Sequence, residues 1–282
     1  MKITVQDFTG VYDNQPFMQE LRQKAADSAD IHWLDCTKIV GTDCYCDDDA
    51  IKEISELIDT TERKSNSNSV EAALGIHFFD NGNYHYMSKL WTDKVQEPFS
   101  LVVFDHHPDM QPPRFGGILS CGGWVLEVLK NNPFVQNVTI IGVADRLVDE
   151  IRAELSQTEC AHVLDKVTFI KESETNHNVT LDSIAALRLQ NDNFLSSNIY
   201  LSIDKDALAP AYAATNWDQG SLTLDALKEC ISTLAVNHKI LGIDICGERS
   251  HDFEGNEQHT VQEADTLNNA LNRELVEFLQ KL

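Results

Sequence analysis

The chain has 282 residues, with 22 Lys and Arg against 45 Asp and Glu, a formal net charge of −23, and 42% hydrophobic residues. An ordinary apolar share with no long polar tract argues against disorder and for a sizeable buried core. The acid excess argues against nucleic acid and membrane surfaces as partners, because both recruit clustered Lys and Arg. The opening MKITVQDF lacks the apolar centre of a secretory signal, and no apolar run approaches the ~20 residues of a membrane span. Seven cysteines, an odd number with no Cys-x-x-C among them, fit reduced thiols in a cytoplasm better than a disulfide framework.

Short apolar runs follow one another at Ile3–Phe8, Ile31–Cys36, Ala72–Phe79, Ser100–Phe104, Asn137–Val143, Val167–Ile170, Asn198–Ile203 and Lys239–Cys246. Several are continuous rather than alternating, as in Leu101-Val102-Val103-Phe104, which is what a strand covered on both faces needs. Helical periodicity fills the intervals at Phe17–Ala26, Ala50–Ile58, Ile118–Leu129, Leu147–Leu155, Leu181–Leu189 and Leu224–Leu234. Near the end, Ala264, Leu267, Leu271, Leu275, Phe278 and Leu282 make one apolar stripe for docking against a core. The alternation predicts a three-layer α/β/α fold with a mostly parallel sheet of about eight strands. The polar stretch Glu62–Asn68 is too short to divide domains, so residues 1–282 are expected to form one domain.

In an open parallel sheet, chemistry collects at the carboxyl ends of the strands. Three of those ends are rich in acids and histidines. After Phe104 comes Asp105-His106-His107-Pro108-Asp109, where an extended chain would turn positions 105, 107 and 109 to one side. After Ile203 comes Asp204-Lys205-Asp206, with the two carboxylates on one side and Lys205 opposite. After Phe79 comes a turn, Asp80-Asn81-Gly82-Asn83-Tyr84, and then His85. His85, Asp105, His107, Asp109, Asp204 and Asp206 could thus meet at one edge. Four buried carboxylates repel one another unless cations compensate them, and two divalent ions would. An oxygen-rich set with two imidazoles suits Mn²⁺, and also admits Zn²⁺, Fe²⁺, Co²⁺ or Ni²⁺. Any single piece has a plainer reading, since an Asp after a strand often caps a helix or forms a turn.

Taken together, the sequence resembles the ureohydrolase family of arginase, agmatinase and formimidoylglutamase. The family's Gly-Gly-Asp-His, Asp-Ala-His-x-Asp and Ser-x-Asp-x-Asp-x-x-Asp-Pro segments look like Gly82–His85, Asp105–Asp109 and Ser202–Pro210 here. The resemblance runs roughly from Ala72 to Glu248. It implies an arginase-like fold, two Mn²⁺ ions and a homo-oligomer. It also implies that Asp105 and Asp204 bridge the metals, with His85 and Asp109 completing one site and His107 and Asp206 the other. The implied activity is hydrolysis of a C–N bond in a guanidino, amidine or formimino-type small molecule by a metal-bridging hydroxide.

The departures concern substrate more than metal. Ala209 stands where the family has its third Asp, and Cys121 near where it has a proton-shuttling His. Gly247 takes the place of the guanidinium-binding Glu, and Glu248 follows one residue late. Glu248 is the candidate catalytic or substrate-anchoring acid, on an exit loop from which it would reach a substrate, and His251 is a second candidate there. The departures sustain an alternative, a metal-holding relative that binds a small molecule or partner without turnover. A lesser alternative is a DHH-type phosphoesterase, suggested by Asp105-His106-His107, but its earlier Asp-x-Asp and late Gly-rich loop are missing. His106 falls out of phase with the ligands and reads as a packing residue or as one that supports a ligand from behind, rather than as a catalytic group. Lys205 reads as a surface or sheet-packing group, and Trp217 as a lining of the substrate mouth or packing under a loop.

Overall fold

The computed structural model describes residues 1–64, 75–114, 116–175 and 195–282. The strands are β1 Lys2–Asp7, β2 Ile31–Asp35, β3 Tyr45–Cys46, β4 Gly75–Phe78 and β5 Phe99–Phe104, then β6 Leu119–Ser120, β7 Val135–Val143, β8 Val167–Lys171, β9 Asn198–Asp204 and β10 Lys239–Cys246. Eight of them form one sheet in the order β2-β1-β4-β10-β9-β5-β7-β8. Every pairing within it is parallel. The other two, β3 and β6, make a small antiparallel ribbon.

The continuous apolar runs explain the layering. β5 is buried at all six positions. Its Leu101 and Val103 enter one core cluster while Val102 and Phe104 enter the other, so successive side chains serve opposite faces. One face is covered by the helices Asp48–Lys64, Met87–Thr92, Trp124–Asn131 and Asp145–Ser156. Pro16–Lys24, Leu224–Asn237 and Val261–Leu279 cover the other. The last of these begins at a capping box in which Thr260 and Glu263 exchange hydrogen bonds, and its Leu271, Leu275 and Leu279 are buried as the stripe predicts. The result is a three-layer α/β/α architecture with the parallel sheet expected from the alternation.

One expected helix is divided. Of the run Ile118–Leu129, residues Leu119–Ser120 become β6 and the α-helix starts only at Trp124. Between them lies Gly122-Gly123, a poor helical pair. A Cβ at Gly123 would stand 2.8 Å from the Gln111 carbonyl oxygen, so the close approach of these two segments demands glycine. The expected helix Leu181–Leu189, the beginning of the third run (72–74) and most of the Glu62–Asn68 stretch (65–68) lie outside the described residues. Among the described residues, no helix is long and apolar enough to cross a membrane.

Candidate metal centre

β4, β10, β9 and β5 are neighbours in the sheet, and their carboxyl ends bring the six predicted side chains together. The backbone does this by turns rather than by extension. Asp204 ends β9, and its Oδ1 accepts the Asp206 N–H at 2.9 Å, opening a single 3-10 turn, Lys205–Ala207. Past β5, Asp105 Oδ1 accepts the His107 N–H at 2.6 Å, and Asp109 takes a left-handed φ of 47°. That unusual backbone is held from two directions. The Asp109 carbonyl accepts the Val125 N–H at 3.0 Å, and its carboxylate accepts the Trp124 indole N–H at 2.7 Å. His85 follows a 3-10 turn, Gly82–Tyr84, which Asn81 caps by accepting the Asn83 N–H.

Asp105 lies between the two imidazoles. Its Oδ2 is 3.2 Å from His85 Nδ1, and its Oδ1 is 3.5 Å from His107 Nδ1. His85 Nδ1 also has Asp109 Oδ2 at 3.0 Å and Asp204 Oδ2 at 3.5 Å. His107 Nδ1 has Asp206 Oδ2 at 2.9 Å. The far ring nitrogens are held as well: His85 Nε2 is 2.8 Å from Ser202 Oγ, and His107 Nε2 is 3.0 Å from Asp218 Oδ1. With Nε2 as the N–H, each Nδ1 turns a lone pair toward carboxylate oxygens. This arrangement is repulsive unless a cation or proton stands between. His85 Nδ1 and Asp105 Oδ2 are both buried, and neither has a hydrogen-bond partner. The donor set therefore fits a pair of divalent cations.

The charge balance of the cluster points the same way. Burial and then the neighbouring Asp105 charge push Asp109 up to about 6. Asp204 and Asp206 are raised too, first by burial and then by neighbouring charge, with the imidazoles pulling back. Asp105 departs downward: burial would raise it, but His107 and His85 on either side outweigh that. Burial would lower both histidines, yet His85 is raised by Cys246 and the carboxylates of Asp105 and Asp109, and His107 by those of Asp105 and Asp206. Without another cation, the cluster keeps protons at neutral pH.

A cavity of about 280 Å³ opens over this cluster, with Asp105, His107, Asp109, Asp204 and Asp206 on its floor. Trp217 stands at the rim, 43% exposed, edge-on to His107 with ring centroids 5.8 Å apart. Its indole N–H donates to Asn83 Oδ1 at 3.0 Å. A Cβ at Gly82 would meet that indole at 2.7 Å, so a side chain there would displace the Trp217 ring. His106 is buried, and its backbone N–H donates to Asp206 Oδ1 at 3.0 Å.

Glu248 corrects the expectation from sequence. It was expected on an exit loop within reach of a substrate, but it is fully buried and does not line the cavity. Its Oε1 accepts from Lys205 Nζ and from Asn272 Nδ2 at 2.7 Å. Its Oε2 accepts from Gln15 Nε2 at 2.9 Å and Asn268 Nδ2 at 2.8 Å. The cause is the turn at Gly247, whose φ of 92° redirects the chain as it leaves β10. Lys205 is likewise no surface residue, being 1% exposed. His251 is exposed and lies off the cavity.

Two residues were missed. Cys246 donates its thiol hydrogen to Asp204 Oδ2 at 3.1 Å and groups with His85 and Asp204 as a possible metal donor. Its only sequence signal was its place as the last residue of a predicted strand. Asp218, which orients His107, lies beside Trp217 in a turn-rich segment with no ligand spacing.

The Arginase family profile matches residues 18–267 of the chain. A Thermotoga maritima protein described as uncharacterized is 26% identical over 246 residues, 87% of this chain and 79% of its own length. The agmatine ureohydrolase of Thermoplasma volcanium has the same fold, with a TM-score of 0.62 and 15% identity over 99% of this chain and 90% of that one. The formimidoylglutamase of Bacillus subtilis also reaches a TM-score of 0.62, at 12% identity over 99% and 87% of the two chains.

Proposed function

We propose, from the premise that this chain belongs to the arginase family, that it is a binuclear metal-dependent hydrolase cleaving a C–N bond of a guanidino, amidine or formimino-type small molecule. Asp105 and Asp204 would be shared by two ions, with His85 and Asp109 on one and His107 and Asp206 on the other. The observation that carries the reading is the unpartnered pair His85 Nδ1 and Asp105 Oδ2, buried 3.2 Å apart among further carboxylates. Mn²⁺ suits the oxygen-rich donor set best, with Zn²⁺, Fe²⁺, Co²⁺ and Ni²⁺ as other candidates. When bound, the ions would lower the pKa of a water molecule and stabilise negative charge developing on the substrate.

The chain's own side chains supply the rest. Ser202 and Asp218 fix the ring orientations through Nε2, which keeps both Nδ1 atoms turned inward. Trp217 and Gln111 bound a space that admits a small planar group over the carboxylate floor. No Lys or Arg is among the described residues lining the cavity, while Glu150 and Glu154 add to its acid. Once the ions balance the floor, nothing cationic among those residues is left on the walls to hold a phosphate ester's outer oxygens, and Glu150 and Glu154 oppose them, which counts against the phosphoesterase alternative. On this reading residues 1–282 act as one domain in the cytoplasm, as a homo-oligomer with a small-molecule substrate.

Metal loading should release protons, because the ions replace those that the cluster holds at neutral pH. Apparent affinity should therefore fall as pH falls through about 6, where Asp109 gains its proton. Calorimetric titrations in buffers of different ionisation enthalpy measure the protons released; a value near zero at pH 7 would contradict the assignment.

A second reading is favoured by Gly247 and Cys121, which stand where the family pattern has an acid and a histidine. It is a relative that holds metal without turnover. Guanidino, amidine and formimino compounds assayed with Mn²⁺, Ni²⁺ and Zn²⁺, alongside metal counts, separate the two. We expect two metal equivalents and cleavage of at least one compound class. Two equivalents with no cleavage anywhere selects the second reading, and less than one equivalent overturns both.

A further inference from the structure

Two cysteines face each other on the cavity wall, outside the proposed metal set. In the antiparallel ribbon, Tyr45 of β3 pairs with Ser120 of β6, and Cys46 with Leu119. Just past the last pair, Cys44 and Cys121 leave the two strands side by side, and the Cys121 N–H donates to the Cys44 carbonyl at 2.9 Å. Cys44 holds a φ of 59°, a left-handed conformation that side-chain-bearing residues seldom take. Both cysteines are half-buried free thiols that border the cavity. A disulfide needs Cα atoms roughly 4.4–6.8 Å apart. The recorded backbone bond sets the two residues side by side at the end of the ribbon.

We propose that Cys44 and Cys121 form a peroxide-oxidisable dithiol site that closes to a disulfide on the wall of the metal cavity.

The two thiols have different parts. A hydrogen bond from the Cys121 thiol holds Cys44 below the usual thiol range, although burial opposes it, and Cys121 is pushed up in turn. That direction favours Cys44 as the first of the two to attack, once deprotonated. It takes one oxygen of a hydroperoxide: the S–O bond forms, the O–O bond breaks, and the departing alkoxide gains a proton to leave as the alcohol. The Cys121 sulfur then attacks the sulfenic sulfur of Cys44. The S–S bond forms, the S–O bond breaks, and hydroxide leaves as water with the Cys121 proton. Overall, two thiols lose two electrons, and one hydroperoxide is reduced to alcohol and water. The crosslink ties the loop before helix Asp48–Lys64 to the Gly122-Gly123 turn. That turn adjoins the proposed metal loop, since the Gly122 carbonyl accepts the Gln111 N–H at 2.8 Å.

The test uses the full-length protein, reduced and then exposed to a small excess of hydrogen peroxide. Remaining thiols are alkylated and the chain is cut with chymotrypsin, which cleaves after Tyr45 and so separates Cys44 from Cys46. We expect a crosslinked peptide joining Cys44 to Cys121, lighter by two hydrogens than its parts and split by dithiothreitol. Cys46→Ser should form the same crosslink. Cys121→Ser should let Cys44 proceed to sulfinic acid, and Cys44→Ser should slow oxidation of Cys121. A crosslink from Cys46 instead of Cys44, no crosslink at all, or independent oxidation of the two in the single variants would overturn the proposal. The readout is peptide mass, so it stands whether or not the chain turns over a substrate.

Discussion

Asp105→Asn should take the protein from two bound divalent ions to fewer than one and abolish the gain in melting temperature that metal confers. Asp105 is the carboxylate with an oxygen toward each imidazole, at 3.2 Å from His85 Nδ1 and 3.5 Å from His107 Nδ1. The amide keeps the size but removes the charge and one donor oxygen. Its N–H₂ can then donate to a histidine lone pair, so the variant satisfies without metal the very atoms left unpartnered in the wild type. Changing outer-sphere partners of a metal site costs about 10–100-fold in affinity, and a shared ligand should exceed that range. Wild type at a metal concentration 100 times its dissociation constant should gain about 2.7 kcal/mol of stability, and the variant almost none. Metal analysis and thermal unfolding with and without chelator decide it. Two retained ions and an unchanged chelator effect would remove Asp105 from the centre.

Glu248→Ala should destabilise the fold by about 3–5 kcal/mol, the usual result of stranding one member of a buried ion pair. Lys205 would be left at 1% exposure with Asn272 Oδ1 at 3.3 Å as its other recorded partner. The amides of Gln15, Asn268 and Asn272 would lose their shared acceptor at the same time. Urea unfolding should show a lower midpoint, while metal content per folded molecule stays at the wild-type level. Wild-type stability combined with a raised KM would instead place the carboxylate in contact with substrate.

The part of the fold set by covering both faces of a sheet was legible from sequence. Leu101-Val102-Val103-Phe104 can be buried on both sides only in a strand between helices, and the acids that follow such strands necessarily share an edge. Hence all six proposed metal donors could be named before any geometry was known. What depended on register or on one dihedral could not be read. Cys246 meets Asp204 because β10 and β9 align those two residues as neighbours. Glu248 finds Lys205, 43 positions earlier, because Gly247 redirects the strand exit. The periodicity of Ile118–Leu129 was real on its apolar side, but the contact between Gly123 and Gln111 decided where the helix begins.

Gly247 also limits how this protein can evolve. A single substitution could write glutamate at that position, yet the folded chain would reject it. The backbone there holds a φ of 92°, and a Cβ would lie 2.3 Å from Asp204 Oδ1 and 2.7 Å from the Lys205 backbone nitrogen. An acid could stand there only after the end of β10 had been rerouted, which means first releasing the Glu248 N–H from the Asp80 carbonyl and dismantling the Lys205 pair. Those steps would have to come together, since each alone weakens the fold. Single substitutions can therefore reshape the cavity at its rim, Trp217, and at its wall, Gln111, but cannot bring an acid in at position 247.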